Sequence, residues 1–549
     1  FMRATALAST LFLLGLSGCG DAPGSSENSV GSGTTSPTET GDTGVANYEP
    51  ATGITITKVV ANQGVQVPLA VNGAFVGGAE RNAPLVRDRD TLIRTFWTID
   101  PDFTPRNLIC RLSMVQPDGV ELNWETTVFV EGNSEERRLE TTCYFGLDAA
   151  MGYVQSGTTF QVSLWEEGAH MGLTDHGNVS PADGPNYIGL ENTLAKIRVM
   201  MVPMTYNGGT PDVEGTRQEF EDYLYMNNPL NEIEVLVREP VPTSSSSLST
   251  MLTLMNGLHG QDGADGNQYY FAVINTGNQS GTVGLAQLGS LWGSALWLNS
   301  FGQTRNTFVH EMGHCQGLGH VQCPGPGMAP YEPYPYEDGK TGVTGFGVRD
   351  YSIHGGDINY QYMSYCGGTN TTWASDWDFT RNWGRIKLFS SDEYPQGSLI
   401  KVPTLHGIVG ADGVEHWWTV MEAPADPETL SANHMITFDD GAGRVVTAPM
   451  SVDILSDGVS QWFTVPIPEG MDTSAPDFEP PLDIRTAYTD EEGRFELRGV
   501  PAGSQLVRLL HPGHVTDERS LDFVEGEVTE AKLWMRADAY RGNEVVIAY

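Results

Sequence analysis

Between residues 310 and 320 the chain reads His-Glu-Met-Gly-His-Cys-Gln-Gly-Leu-Gly-His, a spacing that restricts the backbone more than any other stretch. Residues four apart share one face of an α-helix, so His310 and His314 can offer two imidazoles to one metal ion if this segment is helical. Glu311 then stands about 100° round the helix. There its carboxylate reaches a water beside the metal rather than the metal itself, the place of a general base. Gly317 can adopt the left-handed conformation that ends a helix, turning the chain so that His320 returns as a third ligand. Three protein ligands plus water make a catalytic zinc site, whereas structural sites are closed by four. The expected helix runs from about Thr304 to Gly317.

The chain has 549 residues and a formal charge of −39. That length suits about three or four domains. The charge argues against nucleic acid or an anionic membrane surface as partner and suits a solvated acidic shell. Arg3, the apolar run Ala4 to Leu16 and the small residues before Cys19 have the form of an export signal, too short to span a bilayer as a mature helix. Leu16-Ser17-Gly18-Cys19 resembles a bacterial lipobox, which implies cleavage before Cys19, lipid on its sulfur and a place at the cell envelope. Residues 1–19 are therefore read as signal peptide and 20–47, rich in Gly, Ser and Thr, as a flexible tether.

Residues 48–190 carry short β-rich runs (Ile54-Val60, Thr91-Trp97, Leu108-Val115, Thr159-Trp165) broken by turn residues, the pattern of a β-sandwich. Cys110 and Cys143 flank a hairpin expected around Gln116-Pro117-Asp118-Gly119 and are candidates to join neighbouring strands. Over 191–395 the pattern alternates: strands at Ile197-Val202, Glu232-Val237, Tyr269-Ile274 and Ala295-Leu298, a helix at Glu214-Tyr225, and the histidine helix. Gly284-Leu288 reads as an edge strand, where an extended peptide can pair by strand addition. Residues 396–549 read as a β-rich accessory region with turns at Asp412-Gly413 and Asp440-Gly441. Its stretch Thr489 to Gly503 resembles the hairpin of carboxypeptidase-regulatory-type β-sandwich modules.

His310, Glu311, His314, Gly317 and His320 meet in full the pattern of the metzincin clan of zinc endopeptidases, which this segment resembles. Tyr362-Met363-Ser364-Tyr365 is similar to the clan's methionine turn, with Met363 below the metal. The resemblance implies a twisted mixed sheet with a zinc-binding helix, flanked here by β-sandwich domains. It also implies hydrolysis of internal peptide bonds in extracellular proteins, glycoproteins included, with Zn2+ as cofactor and Glu311 as base. Tyr365 holds the position of the tyrosine that stabilises the oxyanion in astacins and serralysins. Val321 after the third histidine is none of the usual family markers. Cys323 and Cys366 instead resemble the pair of certain bacterial secreted metzincins, which implies a bridge between them, although Cys315 competes for Cys366.

Ser375-Asp376-Trp377-Asp378 has the form of a capping box opening a helix through about Arg385, and Trp373 and Trp377 either wall the substrate pocket or pack in the core. The loop Asp262-Gly263-Ala264-Asp265-Gly266-Asn267 is a weak candidate for calcium and reads more readily as a turn. Two rival functions are a surface adhesin on a vestigial protease fold and a zinc amidohydrolase acting on a non-peptide substrate. Oligomeric state is not legible in the sequence.

Overall fold

The structure, a computed structural model, describes residues 38–39, 49–167, 178–278, 281–324, 334–390 and, beyond these, strands between 400 and 547. It is a mostly β protein of several sheets with four α-helices among the described residues. None of those helices is long and apolar enough to cross a membrane. Cys19 with its lipobox, the turns at 412–413 and 440–441, and all but the last residue of the hairpin expected over 489–503 lie outside the described residues. Within the stretch read as a tether, Thr38–Glu39 pair antiparallel with Asn123 and Leu122 on an outer strand of the first sheet.

The N-terminal region is built from β1 (Ile54–Asn62), β2 (Gln66–Val71), β3 (Thr91–Ile99), β4 (Arg106–Val115), β5 (Glu121–Val130), β6 (Cys143–Leu147) and β7 (Thr159–Glu166). Strands β5, β4 and β7 lie in one sheet and β2, β1, β3 and β6 in the other, with shorter strands at the margins. The alternation in β4 shows why: Leu108, Cys110, Leu112 and Met114 are buried, while the residues between them are partly exposed. The expected hairpin forms between β4 and β5, with Gly119 at φ 89°. The Cys110–Cys143 disulfide is present, but it joins β4 to β6 and so ties one sheet to the other. The expected pairing is thus present, and the strands it joins are neighbours across the two sheets rather than within one.

The next region contains β8 (Lys196–Tyr206), α1 (Val213–Asn227), β9 (Glu232–Val237), α2 (Leu248–Gln261), β10 (Gln268–Ile274), β11 (Gly284–Ala286), β12 (Trp292–Leu296), α3 (Phe301–Cys315) and α4 (Asp376–Ser390). The sheet order is β9-β8-β10-β12-β11, parallel except for β11, which pairs antiparallel with β12 at the edge. Every residue of central β10 is buried, as a parallel strand covered on both faces requires. Helix α2 had not been assigned from sequence, although Leu248, Met251, Leu252, Met255 and Leu258 form its buried face.

These two regions share one apolar core. Gly64, at φ 122°, brings the β1–β2 turn so close to α1 that a Cβ there would stand 2.4 Å from the Met226 carbonyl oxygen. Fully buried Arg89 donates to the carbonyls of Gln63, Tyr225 and Leu230, crossing from sandwich to helix.

Beyond α4, β13 (Ile400–Val409), β14 (Glu415–Ala425), β15 (Ser431–Asp439), β16 (Val445–Ile454) and β17 (Gln461–Pro466) form an antiparallel sheet in the order β14-β13-β17-β16-β15. Its Ile408, Leu455 and Trp462 pack with Leu252 of α2 and Leu285 of β11. An antiparallel bridge joins Gln287, just past β11, to Leu455.

Candidate metal centre

Helix α3 starts three residues before the expected Thr304 and ends at Cys315. Phe308, Met312 and Cys315 bury its core face, leaving His310 and His314 on the opposite side. Gly317 sits at φ 90°, the left-handed value its position required, and its N–H donates to the His314 carbonyl at 2.8 Å. The chain reverses there, and His320 comes back beside the helix.

The three imidazoles converge: His314 Nε2 lies 3.1 Å from both His310 Nε2 and His320 Nε2. Their other nitrogens show which atoms carry protons. His310 Nδ1 is 2.8 Å from the Tyr362 carbonyl and His314 Nδ1 is 2.7 Å from the Leu318 carbonyl. A carbonyl only accepts, so each Nδ1 holds the hydrogen and each Nε2 turns a lone pair inward. Two lone pairs facing one another are not a hydrogen bond; they need a cation between them. Nitrogens around a tetrahedral zinc at ~2.05 Å stand about 3.3 Å apart, close to the spacing found here. Burial reinforces the neutral form, lowering the His310 pKa to about 4 and that of His314 well below its usual value, with His320 and His310 adding to the latter. Neutral nitrogen donors in this number fit zinc, and among the described residues this is the sole cluster suited to a metal.

Glu311 is 4% exposed and its carboxylate lies against β11: a Cβ on Gly284 would stand 2.3 Å from its Oε1. Only glycine leaves that carboxylate room. Tyr365 is 46% exposed, and its hydroxyl is 3.0 Å from His320 Nε2.

The turn 361–366 gathers the rest. Met363 is fully buried beneath α3, and a Cβ on Gly313 would stand 2.4 Å from its sulfur. The Met363 carbonyl accepts from Val321 N–H at 3.1 Å, so the unusual residue after His320 is a buried apolar side chain on a backbone tied to this turn. Cys366 is bonded to Cys323, and Cys315 stays a buried free thiol whose sulfur is 3.2 Å from the Trp292 carbonyl. Burial raises that thiol's pKa, which makes it a weak nucleophile. Helix α4 holds the turn from below. Asp378 accepts from Ser375 N–H at 2.7 Å, closing the expected cap, and from Gln361 Nε2 at 2.8 Å. Gln361 Oε1 in turn accepts the Met363 N–H, and Asn382 donates to the Tyr362 hydroxyl at 2.8 Å. Desolvation raises the Asp378 carboxyl to about 7.

Four side chains considered for a pocket wall or an ion site have protein partners instead. Trp373 is 1% exposed, stacks on His354 at 3.7 Å and donates to the Gly64 carbonyl, so it belongs to the core. Trp377 packs edge-on against Tyr334. In the loop considered for calcium, Asp262 takes a fork of two bonds from Arg238, and Asp265 pairs with Arg198. Sequence reasoning missed Gly284, Gly313 and Gln361. The two glycines gave no local signal because what they make room for, Glu311 and Met363, is decided by packing.

No family description matches the chain, and no characterised protein matches it in sequence. Among solved structures, a beta-galactosidase candidate from Bacteroides fragilis aligns with 75% of this chain and 72% of its own, at 9% identity and a TM-score of 0.14. A score that low carries no argument about fold or function.

Proposed function

We propose that the chain is a zinc-dependent endopeptidase of metzincin type. The observation that carries this reading is the convergence of three Nε2 lone pairs, two fixed in tautomer by backbone carbonyls, beside a buried Glu311. The mixed sheet with an antiparallel edge, the glycine-terminated helix and the methionine beneath it support the same assignment.

His310, His314 and His320 would hold the ion. When bound, zinc supplies Lewis acidity, which makes water a nucleophile at neutral pH and polarises the scissile carbonyl. Glu311 takes the water's proton and delivers it to the leaving amine. The Tyr365 hydroxyl donates to the oxyanion as it forms, a contribution of about 3 kcal/mol in comparable sites. The half-exposed ring leaves the hydroxyl room to leave His320 for that task. The lipobox at Cys19 completes the proposal with a lipid anchor at the cell envelope and extracellular protein as substrate.

Zymography of the purified chain on casein, gelatin and mucin, with and without chelator, tests the assignment. Chelator-sensitive clearing is expected. Turnover of acetylated amines with no cleared protein would replace it with an amidohydrolase, and no turnover with intact zinc would favour an adhesin.

A further inference from the structure

We infer that the C-terminal sheet closes one end of the substrate groove and limits how much peptide is recognised on the N-terminal side of the scissile bond. This rests on the peptidase reading above. Strand β11 is the sheet edge next to the candidate centre, and its Gly284 lies against the carboxylate of Glu311. The reacting bond therefore belongs beside Gly284. Three residues further along, at Gln287, an antiparallel bridge is made to Leu455 of the C-terminal region. Leu455 is fully exposed to neither solvent nor groove: it is buried, and with Ile408 and Trp462 it packs against Leu285 and α2. The contact is a built interface with an apolar core.

A peptide that adds to β11 antiparallel, as Leu455 does, runs from Gly284 toward Gln287 in its own C-to-N direction. Its N-terminal residues meet the position Leu455 already fills. Pairing on that side then ends before Gln287, within about 10 Å of Gly284 at the ~3.4 Å rise of an extended strand. Recognition on the C-terminal side carries no such limit from this contact. The accessory region is in this way a specificity element, and it favours cleavage near an N-terminus or at a bend that leaves the groove.

The test is calorimetric titration of the full-length, zinc-loaded chain with acyl-peptide hydroxamates that carry one, two, three or five residues on the N-terminal side of the zinc-binding group. The expected result is affinity that rises to the second residue and then stays within about two-fold. In Leu455→Pro, which removes the bridge's backbone geometry, the five-residue probe gains at least tenfold over the two-residue probe. A tenfold gain from two to five residues in the unmodified chain overturns the closure while leaving the peptidase reading intact. Failure of the one-residue probe to bind zinc-loaded protein overturns the peptidase reading, and this inference with it.

Discussion

His310 donates its Nδ1 hydrogen to the carbonyl of Tyr362, 2.8 Å away and 52 residues on in the chain. That bond makes a proposed zinc ligand depend on a turn far from it in sequence. The same turn accepts from Val321 next to His320 through Met363, and presents Tyr365 to His320. The geometry of two proposed ligands and of Tyr365 therefore follows the position of six residues, 361–366, held between α3 and α4.

Gly313→Ala is expected to weaken zinc binding without touching a ligand. The new Cβ would stand 2.4 Å from the Met363 sulfur and 2.9 Å from the Tyr362 ring, and both side chains are buried. Overpacking of this kind costs about 1–3 kcal/mol. Competition with a fluorescent chelator should show a zinc affinity reduced by roughly ten- to a hundredfold.

Asp378 gives a pH dependence of stability. Its carboxyl is raised from 3.8 to about 7 by desolvation, outweighing the bonds from Ser375 and Gln361. Between these values the folded chain holds a proton that the unfolded chain has released, so this residue's contribution falls as pH rises from about 4 to about 7. The full difference is about 4 kcal/mol. Urea unfolding of the unmodified chain and Asp378→Asn at pH 4, 5.5 and 8 should show their stability difference shifting in favour of Asn as pH rises.

Much of the site was readable because its signal is local. The spacing of His310, His314 and Gly317 dictates a helix and its end, and the alternation in Leu108 to Met114 dictates a strand with one buried face. What was not readable is set by distant contact. Trp373 was considered for a pocket wall, yet its indole donates to the Gly64 carbonyl 309 residues away. No periodicity encodes such a meeting. The Cys110–Cys143 pairing was legible, but that it ties one sheet to the other was not, since sheet membership depends on how the whole sandwich folds.

Residues 191–395 expressed alone should fail to fold. The boundary is convincing in composition, but Arg89, Gln63 and Gly64 of the sandwich insert under α1 and Trp373, and the apolar core is continuous across it. The fragment would expose that core. Circular dichroism and dye binding should report a collapsed state without fixed packing, whereas residues 48–395 keep the junction and its contacts. Arg89→Ala in the full chain should lower stability by about 3 kcal/mol, by orphaning buried carbonyls.

Reduction of the Cys323–Cys366 bridge should loosen the centre. It ties the loop after His320 to the residue after Tyr365, so Cys366→Ser is expected to lower kcat more than it raises KM. A matched Cys315→Ser control should change little, because that thiol is buried and bonded only to the Trp292 carbonyl.

The central claim is that Glu311 moves the proton for a zinc-dependent peptide hydrolysis. Glu311→Gln should be compared with the unmodified chain by metal analysis and by cleavage of casein under excess zinc. The account predicts one zinc per chain in both proteins and cleavage reduced at least a thousandfold in the variant, about 4 kcal/mol in transition-state stabilisation. Full zinc-dependent cleavage by Glu311→Gln would contradict it.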